Sequence, residues 1–158
     1  MLIFTLLMAL SAMGAPSPLP EQLGLTSEEW QKLQNEGQIA RSNPAPDSPW
    51  PHMHVYALVH AGALEAAGIY HALDLQKDYV PNVLMSTPIK HVSPTEVHTS
   101  YEMKVPWPLP NYKYVHGSRI SLPELGPRVD WYLVKSESAD KVEGYAQFTE
   151  VAPDLTVM

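Results

Sequence analysis

Histidines are the first candidates for chemistry, because the 158-residue chain carries seven of them and no cysteine. His52 and His54 alternate along a predicted strand, so both imidazoles would lie on one side of it, as in some metal sites. No third ligand follows at a metal-binding spacing, and no His-Glu-x-x-His motif occurs. The sequence therefore favours structural or surface roles for the histidines, and we expect no metal site and no cofactor.

Nucleophilic and phosphate-binding motifs are also missing from the sequence. No Gly-x-Ser-x-Gly motif occurs, and no glycine-rich loop precedes a predicted helix. Glu65, Asp74 and Asp78 resemble paired carboxylates, but their helical spacing favours an exposed, solvated helix face. We therefore assign no catalytic residue from the sequence.

Composition narrows the class of protein. The formal net charge of -7 argues against a nucleic-acid partner and against a polybasic membrane anchor. The hydrophobic fraction of 45% is typical of a globular domain with an apolar core, and the absence of cysteine excludes disulfides. We therefore expect a single domain whose partner is not a nucleic acid.

The N-terminal segment is predicted to precede the main domain. Leu2–Leu10 is apolar and uncharged, and Ala12 and Gly14 are small residues at the two positions that a signal peptidase reads. We expect residues 1–14 to be a signal peptide and the protein to be exported, to the periplasm or outside the cell. Residues 15–52 are predicted to form an arm with one short helix.

That helix has start and stop signals of its own. Thr26 and Glu29 have the spacing of a capping box, in which the two side chains bond the free amides of the first turn. Trp30 and Leu33 lie on one helical stripe, and Gly37 favours the left-handed conformation that ends a helix. The stripe is predicted to pack on the main domain.

The main domain is predicted to span residues 53–158. A proline-rich linker over Arg41–Pro51 is followed by a strand at His54–Val59 and an alanine-rich helix over Gly62–Leu73. A second short helix is expected between Asp74 and Tyr79. The chain thereafter is predicted to be all strand and turn.

Alternating apolar and polar residues predict a run of antiparallel strands. In the second of them, Val97, Thr99 and Tyr101 share one face, and His98 and Ser100 the other. The five strands are predicted over Val83–Val92, Thr95–Val105, Tyr112–Leu122, Arg128–Lys135 and Lys141–Thr149. A polar turn at Ser136–Asp140 and the start of a further strand at Leu155–Met158 complete the prediction.

Three prolines interrupt the chain between the second and third of these strands, and a proline cannot donate to a strand ladder. The segment Pro106-Trp-Pro-Leu-Pro-Asn-Tyr-Lys-Tyr-Val115 resembles the Pro-aromatic-Pro-x-Ser-Asn-Arg-Asp-Tyr-Val corner of START lipid-transfer domains, of the SRPBCC superfamily. The match holds at Pro106, Trp107, Pro108, Asn111, Tyr114 and Val115. Tyr112-Lys113 stands where the family has Arg-Asp, so no role of that pair is carried over.

The resemblance, over residues 53–158, implies an α+β fold: a helix-grip, START-like domain with a curved antiparallel sheet. START-like domains add a long C-terminal helix that closes the cavity. The sequence ends at Met158 without one. We therefore expect an incomplete domain with the C-terminal helix missing, and a chain that self-associates through its uncovered sheet.

The resemblance also implies a cavity for a lipid or another hydrophobic small molecule. Apolar and aromatic residues on the inner face of the sheet or at its corner are the predicted ligand-binding residues, with Gly144 and Ala146 leaving space. They are Tyr101, Met103, Trp107, Tyr112, Tyr114, Trp131, Leu133 and Phe148. The hydroxyls of Tyr101, Tyr112 and Tyr114 are expected to orient a polar head group.

Two other functions remain open from the sequence. Polyketide cyclase-like enzymes of the same superfamily use the cavity for catalysis, with an Arg, His or Asp as acid or base. An interaction module would instead bind a partner on an open sheet face. The mostly apolar inner residues favour a carrier over an enzyme, with transient membrane contact during transfer.

Overall fold

The computed structural model describes residues 20–46, 51–136 and 141–158. The predicted signal peptide, residues 1–14, lies outside them, as does most of the predicted turn at Ser136–Asp140. The helices are α1 (Ser27–Glu36), α2 (Ala63–Tyr70) and α3 (Gln76–Tyr79), and a 3₁₀ turn covers Pro20–Leu23. The strands are β1 (Gln38–Asn43), β2 (His52–Val59), β3 (Val83–Ser93), β4 (Glu96–Met103), β5 (Tyr112–Ser121), β6 (Arg128–Ser136), β7 (Glu143–Gln147), β8 (Thr149–Ala152) and β9 (Leu155–Val157).

The strands form two antiparallel sheets. The larger sheet has the order β3-β4-β5-β6-β7, so it is a meander as the sequence predicted. The smaller sheet has the order β1-β2-β9-β8 and includes the first and last strands of the described chain. No pairing joins β2 to β7 among the described residues, so the two sheets do not close into a barrel. This gap holds the larger of the cavities described below.

The N-terminal helix begins and ends as predicted. The hydroxyl of Thr26 accepts from the amide of Glu29, whose carboxylate accepts from the amide of Thr26, and Gly37 ends the helix with a φ of 75°. Leu33 is fully buried against β8 and β9, where it meets Val151 and Val157. The helix therefore fastens the N-terminal arm to the smaller sheet.

The predicted linker at Arg41–Pro51 is wrong at its start, because β1 continues to Asn43 and pairs with β2 along its whole length. Only Ile39 of β1 is buried, so the strand has no apolar alternation that could identify it. Its support comes from distant residues. The Arg41 guanidinium donates to the Glu29 carboxylate at 3.3 Å and to the Tyr56 hydroxyl at 3.0 Å.

The predicted strand at Lys141–Thr149 is in fact two strands. β7 ends at Gln147, and β8 begins at Thr149 in the other sheet. Between them, the amide of Phe148 donates to the carbonyl of Pro127 at 2.8 Å, and its ring is buried against α2. The periodicity cannot reveal this change of sheet, because apolar residues continue through it. The strand expected near the end of the chain is confirmed as β9.

The helices α2 and α3 follow β2 of the smaller sheet and precede β3 of the larger sheet in the chain. They cover the inner face of the larger sheet. Ala63, Ala66 and Ala67 of α2 pack against Val129 and Phe148. No helix in the described part of the chain is long and apolar enough to cross a membrane. The small side chains on α2 let this helix lie close to the larger sheet. Tyr70, at the end of the helix, lies beside the space that remains beneath the sheet.

α2 ends three residues earlier than predicted, at Tyr70. The side-chain amide of Gln76 donates to the Tyr70 carbonyl at 2.8 Å, and the Tyr79 hydroxyl donates to the same carbonyl at 3.3 Å. These bonds satisfy a carbonyl at the helix end from the following helix. The stop depends on residues of α3, and no glycine or proline follows Tyr70 within this segment to indicate it.

Candidate ligand-binding site

The gap between the sheets forms a cavity of about 830 Å³. β2 contributes one wall, including Met53 and Val55, and β7 contributes the other, including Gly144 and Ala146. Arg128 lies at the polar part of the wall, with its guanidinium 3.8 Å from the centre of the Tyr145 ring. The cavity therefore combines apolar side chains with several polar ones, of which Arg128 and Glu143 are charged.

A second cavity of about 150 Å³ lies beneath the larger sheet. Tyr70 and Trp131 line both cavities, and their ring centres are 6.3 Å apart. The two rings thus separate the small cavity from the large one. Residues of α2, α3, β3, β4, β5 and β6 all reach the small cavity, so it depends on the whole helix-and-sheet arrangement.

Hydrogen bonds run along one side of the small cavity. The Tyr101 hydroxyl donates to Oε1 of Gln76 at 2.5 Å, and Nε2 of Gln76 donates to the carbonyl of Tyr70 at 2.8 Å. Tyr101 is only 2% exposed. Burial raises the pKa of Tyr101, and it raises the pKa of Tyr70 to about 12, so both phenols are protonated at neutral pH.

His116 is the titratable imidazole of this cavity. It is 9% exposed, its ring centre is 4.3 Å from that of Tyr101, and its Nε2 has no hydrogen-bond partner in the described structure. Burial, with a smaller effect from nearby His71, lowers the pKa of His116 to about 4. The imidazole is therefore uncharged at neutral pH.

Four of the predicted ligand-binding residues line these cavities. Tyr101, Met103 and Tyr114 line the small cavity, and Trp131 lines both. Phe148 lies in the core, 1% exposed, with its ring centre 5.6 Å from that of Tyr70.

The other three predicted residues line neither cavity. Leu133 is half-buried, Tyr112 is partly exposed, and Trp107 is 92% exposed at the proline corner. The corner itself is held to β4, because the Asn111 amide donates to the Glu102 carboxylate at 2.8 Å. Trp107 therefore faces the solvent and not the space beneath the sheet.

The small cavity is also lined by Tyr70, Gln76 and His116, which were not predicted as site residues from the sequence. One signal was available for His116, since it alternates with Tyr114 and Ser118 along β5 and so shares their inner face. Gln76 carried no such signal. Its position depends on how α3 packs beneath the sheet.

Gly144 makes space for an aromatic ring and not for a ligand. A Cβ atom at this position would lie 2.5 Å from Cζ2 of Trp131, so the indole packs directly on the backbone of β7. Gly144 and Trp131 are register partners across the two strands. The position of the Trp131 ring between the two cavities therefore depends on this glycine.

A second polar cluster lies on the opposite face of the sheet. The Glu96 carboxylate accepts from the Tyr132 hydroxyl at 2.5 Å and from Nη2 of Arg119 at 2.7 Å, and both bonds lower its pKa. Tyr132 reaches Glu96 across Gly117, where a Cβ atom would lie 2.4 Å from the ring. The cluster joins β4, β5 and β6 and lines neither cavity, so we assign it a structural role.

In the helix-grip class of α+β proteins, a curved antiparallel sheet packs over helices with a cavity between them. The arrangement seen here is of this class, and it confirms the fold expected from the sequence. No protein-family model matches the sequence, and no curated protein is significantly similar to it.

Solved structures of START-related domains have the same fold. A STAR-related lipid transfer protein fragment from Xanthomonas axonopodis is 17% identical, with a TM-score of 0.68 over 77% of this chain and 73% of that chain. Human StAR-related lipid transfer protein 5 is 12% identical, with a TM-score of 0.62 over 88% of this chain and 80% of that chain. The lipid transfer and protein localization domain of human StarD13 is 11% identical, with a TM-score of 0.58 over 84% and 79%. The START-like fold predicted from the proline corner is therefore confirmed.

Proposed function

We propose that this protein binds a lipid or another hydrophobic small molecule, with the apolar body in the large cavity and the polar end in the small one. The observation that carries the proposal is the pair of adjoining cavities, a large one between the two sheets and a small one beneath the larger sheet, which share Tyr70 and Trp131. Several proteins with this fold are named lipid transfer proteins, which supports the same class of ligand here.

Apolar burial would supply the driving force. Each square ångström of ligand surface removed from water contributes about 25 cal/mol. The hydroxyls and amides of the small cavity would add orientation more than affinity, because they exchange bonds with water for bonds with the ligand.

Native mass spectrometry of the purified protein tests the proposal. We expect a co-purified hydrophobic molecule, and we expect that after delipidation the protein takes up one equivalent of a fluorescent lipid. A delipidated, folded protein that takes up no fluorescent lipid and no other apolar probe would refute the proposal.

Catalysis in the same cavity is the second candidate function, and His116 beside Tyr101 is the observation that favours it. A general base works best with a pKa near the working pH, however, and the pKa of His116 is about 4. Burial thus makes the imidazole a weak base at neutral pH, which favours binding. Release of a chemically altered ligand after incubation would favour the enzyme instead.

Transient membrane contact through Trp107 is part of the proposal, because transfer requires the protein to collect its ligand from a bilayer. Trp107 and Leu109 are both exposed on the proline corner. We expect Trp107→Ala to leave the thermal midpoint unchanged and to weaken sedimentation with phospholipid vesicles about fivefold, as for a partly inserted aromatic ring worth about 1 kcal/mol. Leu64→Ala, an exposed apolar change on α2, is the control, and equal binding by both variants would contradict the prediction.

Export of the protein is also proposed, on the basis of the apolar segment Leu2–Leu10 and the small residues Ala12 and Gly14. We expect N-terminal sequencing of protein from the source cell to begin at Ala15. Recovery of a cytoplasmic protein that retains Met1 or Leu2 would show that the segment is not a signal peptide.

Self-association is expected through the edge strand β3. Among the described strands it pairs only with β4, and it exposes Leu84, Ile89 and Val92. Unpaired edges invite pairing between chains, and an inserted lysine opposes it. Light scattering should show association that Ile89→Lys reduces and that Leu122→Lys, at an exposed position outside the strands, leaves unchanged. A chain that is monomeric at every concentration would contradict this prediction.

A further inference from the structure

We propose that the small cavity selects ligands whose polar end is an uncharged hydroxyl, and that Nε2 of His116 is the group that recognises it. This inference rests on the proposed function and specifies the chemical class of the ligand. It starts from a buried polar atom that lacks a partner.

Among the described residues that line the small cavity, His116 is the one histidine. It lies on β5 with Tyr114 and Ser118, and all three line the small cavity. More than nine-tenths of its surface is buried, and Nε2 has no hydrogen-bond partner among the described residues. Thr99, its register partner on β4, also has a buried hydroxyl oxygen without a partner. Buried polar atoms are normally paired, so this region of the sheet has bonding capacity that a bound molecule can use.

The charge of the small cavity favours an uncharged ligand end. None of the described residues that line it is Lys, Arg, Asp or Glu. The imidazole is uncharged at neutral pH because burial depresses its pKa. A carboxylate or an ammonium group would enter this cavity without a counter-charge, and burial of an unpaired charge is far more costly than burial of a hydroxyl.

A hydroxyl matches the hydrogen-bonding groups that line the small cavity. A neutral imidazole presents Nε2 either as a donor or as an acceptor, and a hydroxyl can bond to it in both tautomers. The proton of the Tyr101 hydroxyl is already donated to Gln76, so the Tyr101 oxygen can act as an acceptor. A ligand hydroxyl in contact with Nε2 of His116 and with the Tyr101 oxygen could therefore accept from the imidazole and donate to the phenol oxygen. An ether oxygen can only accept, and it would satisfy half of this site.

The apolar part of the ligand would extend out of the small cavity. The small cavity, at about 150 Å³, has room for a polar end but not for a whole lipid. Tyr70 and Trp131 line both cavities, so a chain that extends past the edges of these two rings reaches the space of about 830 Å³. Recognition of the hydroxyl and burial of the chain would thus occur on the two sides of these rings.

The experiment compares ligands that share one chain and differ in the polar end. The full chain is titrated with 1-hexadecanol, hexadecanoate, hexadecylammonium and methyl hexadecyl ether, each competing with a fluorescent apolar probe at pH 7. We expect the alcohol to bind about tenfold more tightly than each of the other three, which corresponds to about 1.4 kcal/mol. We expect His116→Phe, which keeps a ring and removes both nitrogens, to abolish the preference for the alcohol over the ether.

Two further variants keep the result interpretable. His116→Gln retains a donor and an acceptor, so it should keep part of the preference even if His116→Phe does not fold. Met103→Leu changes another residue of the same cavity without altering hydrogen bonding, so it should keep the full preference.

The possible failures are distinct. Equal binding of alcohol and ether by the unmodified protein would mean that water satisfies His116, and it would overturn the inference while leaving the proposed function intact. Tighter binding of the carboxylate, or an unchanged alcohol preference in His116→Phe, would overturn it as well. Absence of binding by every ligand and by the probe would overturn the proposed function together with the inference.

Discussion

Replacement of Phe148 by Ala is expected to lower the free energy of unfolding by about 3–5 kcal/mol. Its side chain is fully buried, and it packs with Ala67 and Val129 between α2 and the larger sheet. Loss of the ring would leave a void, since the alanines of α2 are too small to fill it. Because total stabilities are about 5–15 kcal/mol, this single change would remove a large part of the total.

The position of Phe148 in the chain adds to this expectation. It is the residue between β7 and β8, where the chain passes from one sheet to the other. Urea denaturation monitored by circular dichroism measures the effect, with Val134→Ala as a control at an exposed strand position. A loss below about 1 kcal/mol would show that the core relaxes around the missing ring.

Local signals in the sequence predicted the parts of the fold that local forces determine. The bounds of α1 follow from Thr26, Glu29 and Gly37, whose hydrogen bonds and backbone conformation lie within or beside the helix itself. The inner face of β4 follows from its strict alternation. Both features could be predicted because their cause is contained in a few adjacent residues.

Distant contacts determined the parts that the sequence did not reveal. β1 is a strand because β2 pairs with it and because Arg41 reaches Glu29 and Tyr56, although its own residues show no strand pattern. The division at Phe148 depends on a bond to the carbonyl of Pro127. Such choices are made by tertiary packing, which overrides local preference.

The ligand-binding site, like the fold, was predictable only where local sequence patterns determine it. Alternation identified Tyr101, Met103 and Trp131 as inward residues. Alternation does not indicate which inward polar residue lacks a hydrogen-bond partner, so His116 was not predicted as a site residue. It also gives no information at the proline corner, where Trp107 was expected near the ligand and instead is exposed.

The second large effect is expected at Trp131, where Ala should weaken binding of a hydrophobic ligand at least tenfold, or about 1.4 kcal/mol. The indole is half-buried, lines both cavities and packs on Tyr70. Its loss would merge the two cavities and remove aromatic surface that a bound chain would contact. Since one side of the ring faces cavity space, the loss of stability should be smaller than that for Phe148→Ala.

The ratio of the two effects identifies the role of Trp131. Titration with a fluorescent lipid gives the affinity, and urea denaturation gives the stability, of the same preparation. Gly144→Ala is a second variant that tests the position of the ring. Its methyl group would displace the indole without removing it, so affinity should fall although the aromatic side chain is retained. A stability loss of about 3–5 kcal/mol in Trp131→Ala with unchanged affinity would show instead that the ring is core packing. We expect Phe148→Ala to lose mainly stability and Trp131→Ala to lose mainly affinity. This contrast would distinguish a core residue from a residue of the cavity wall.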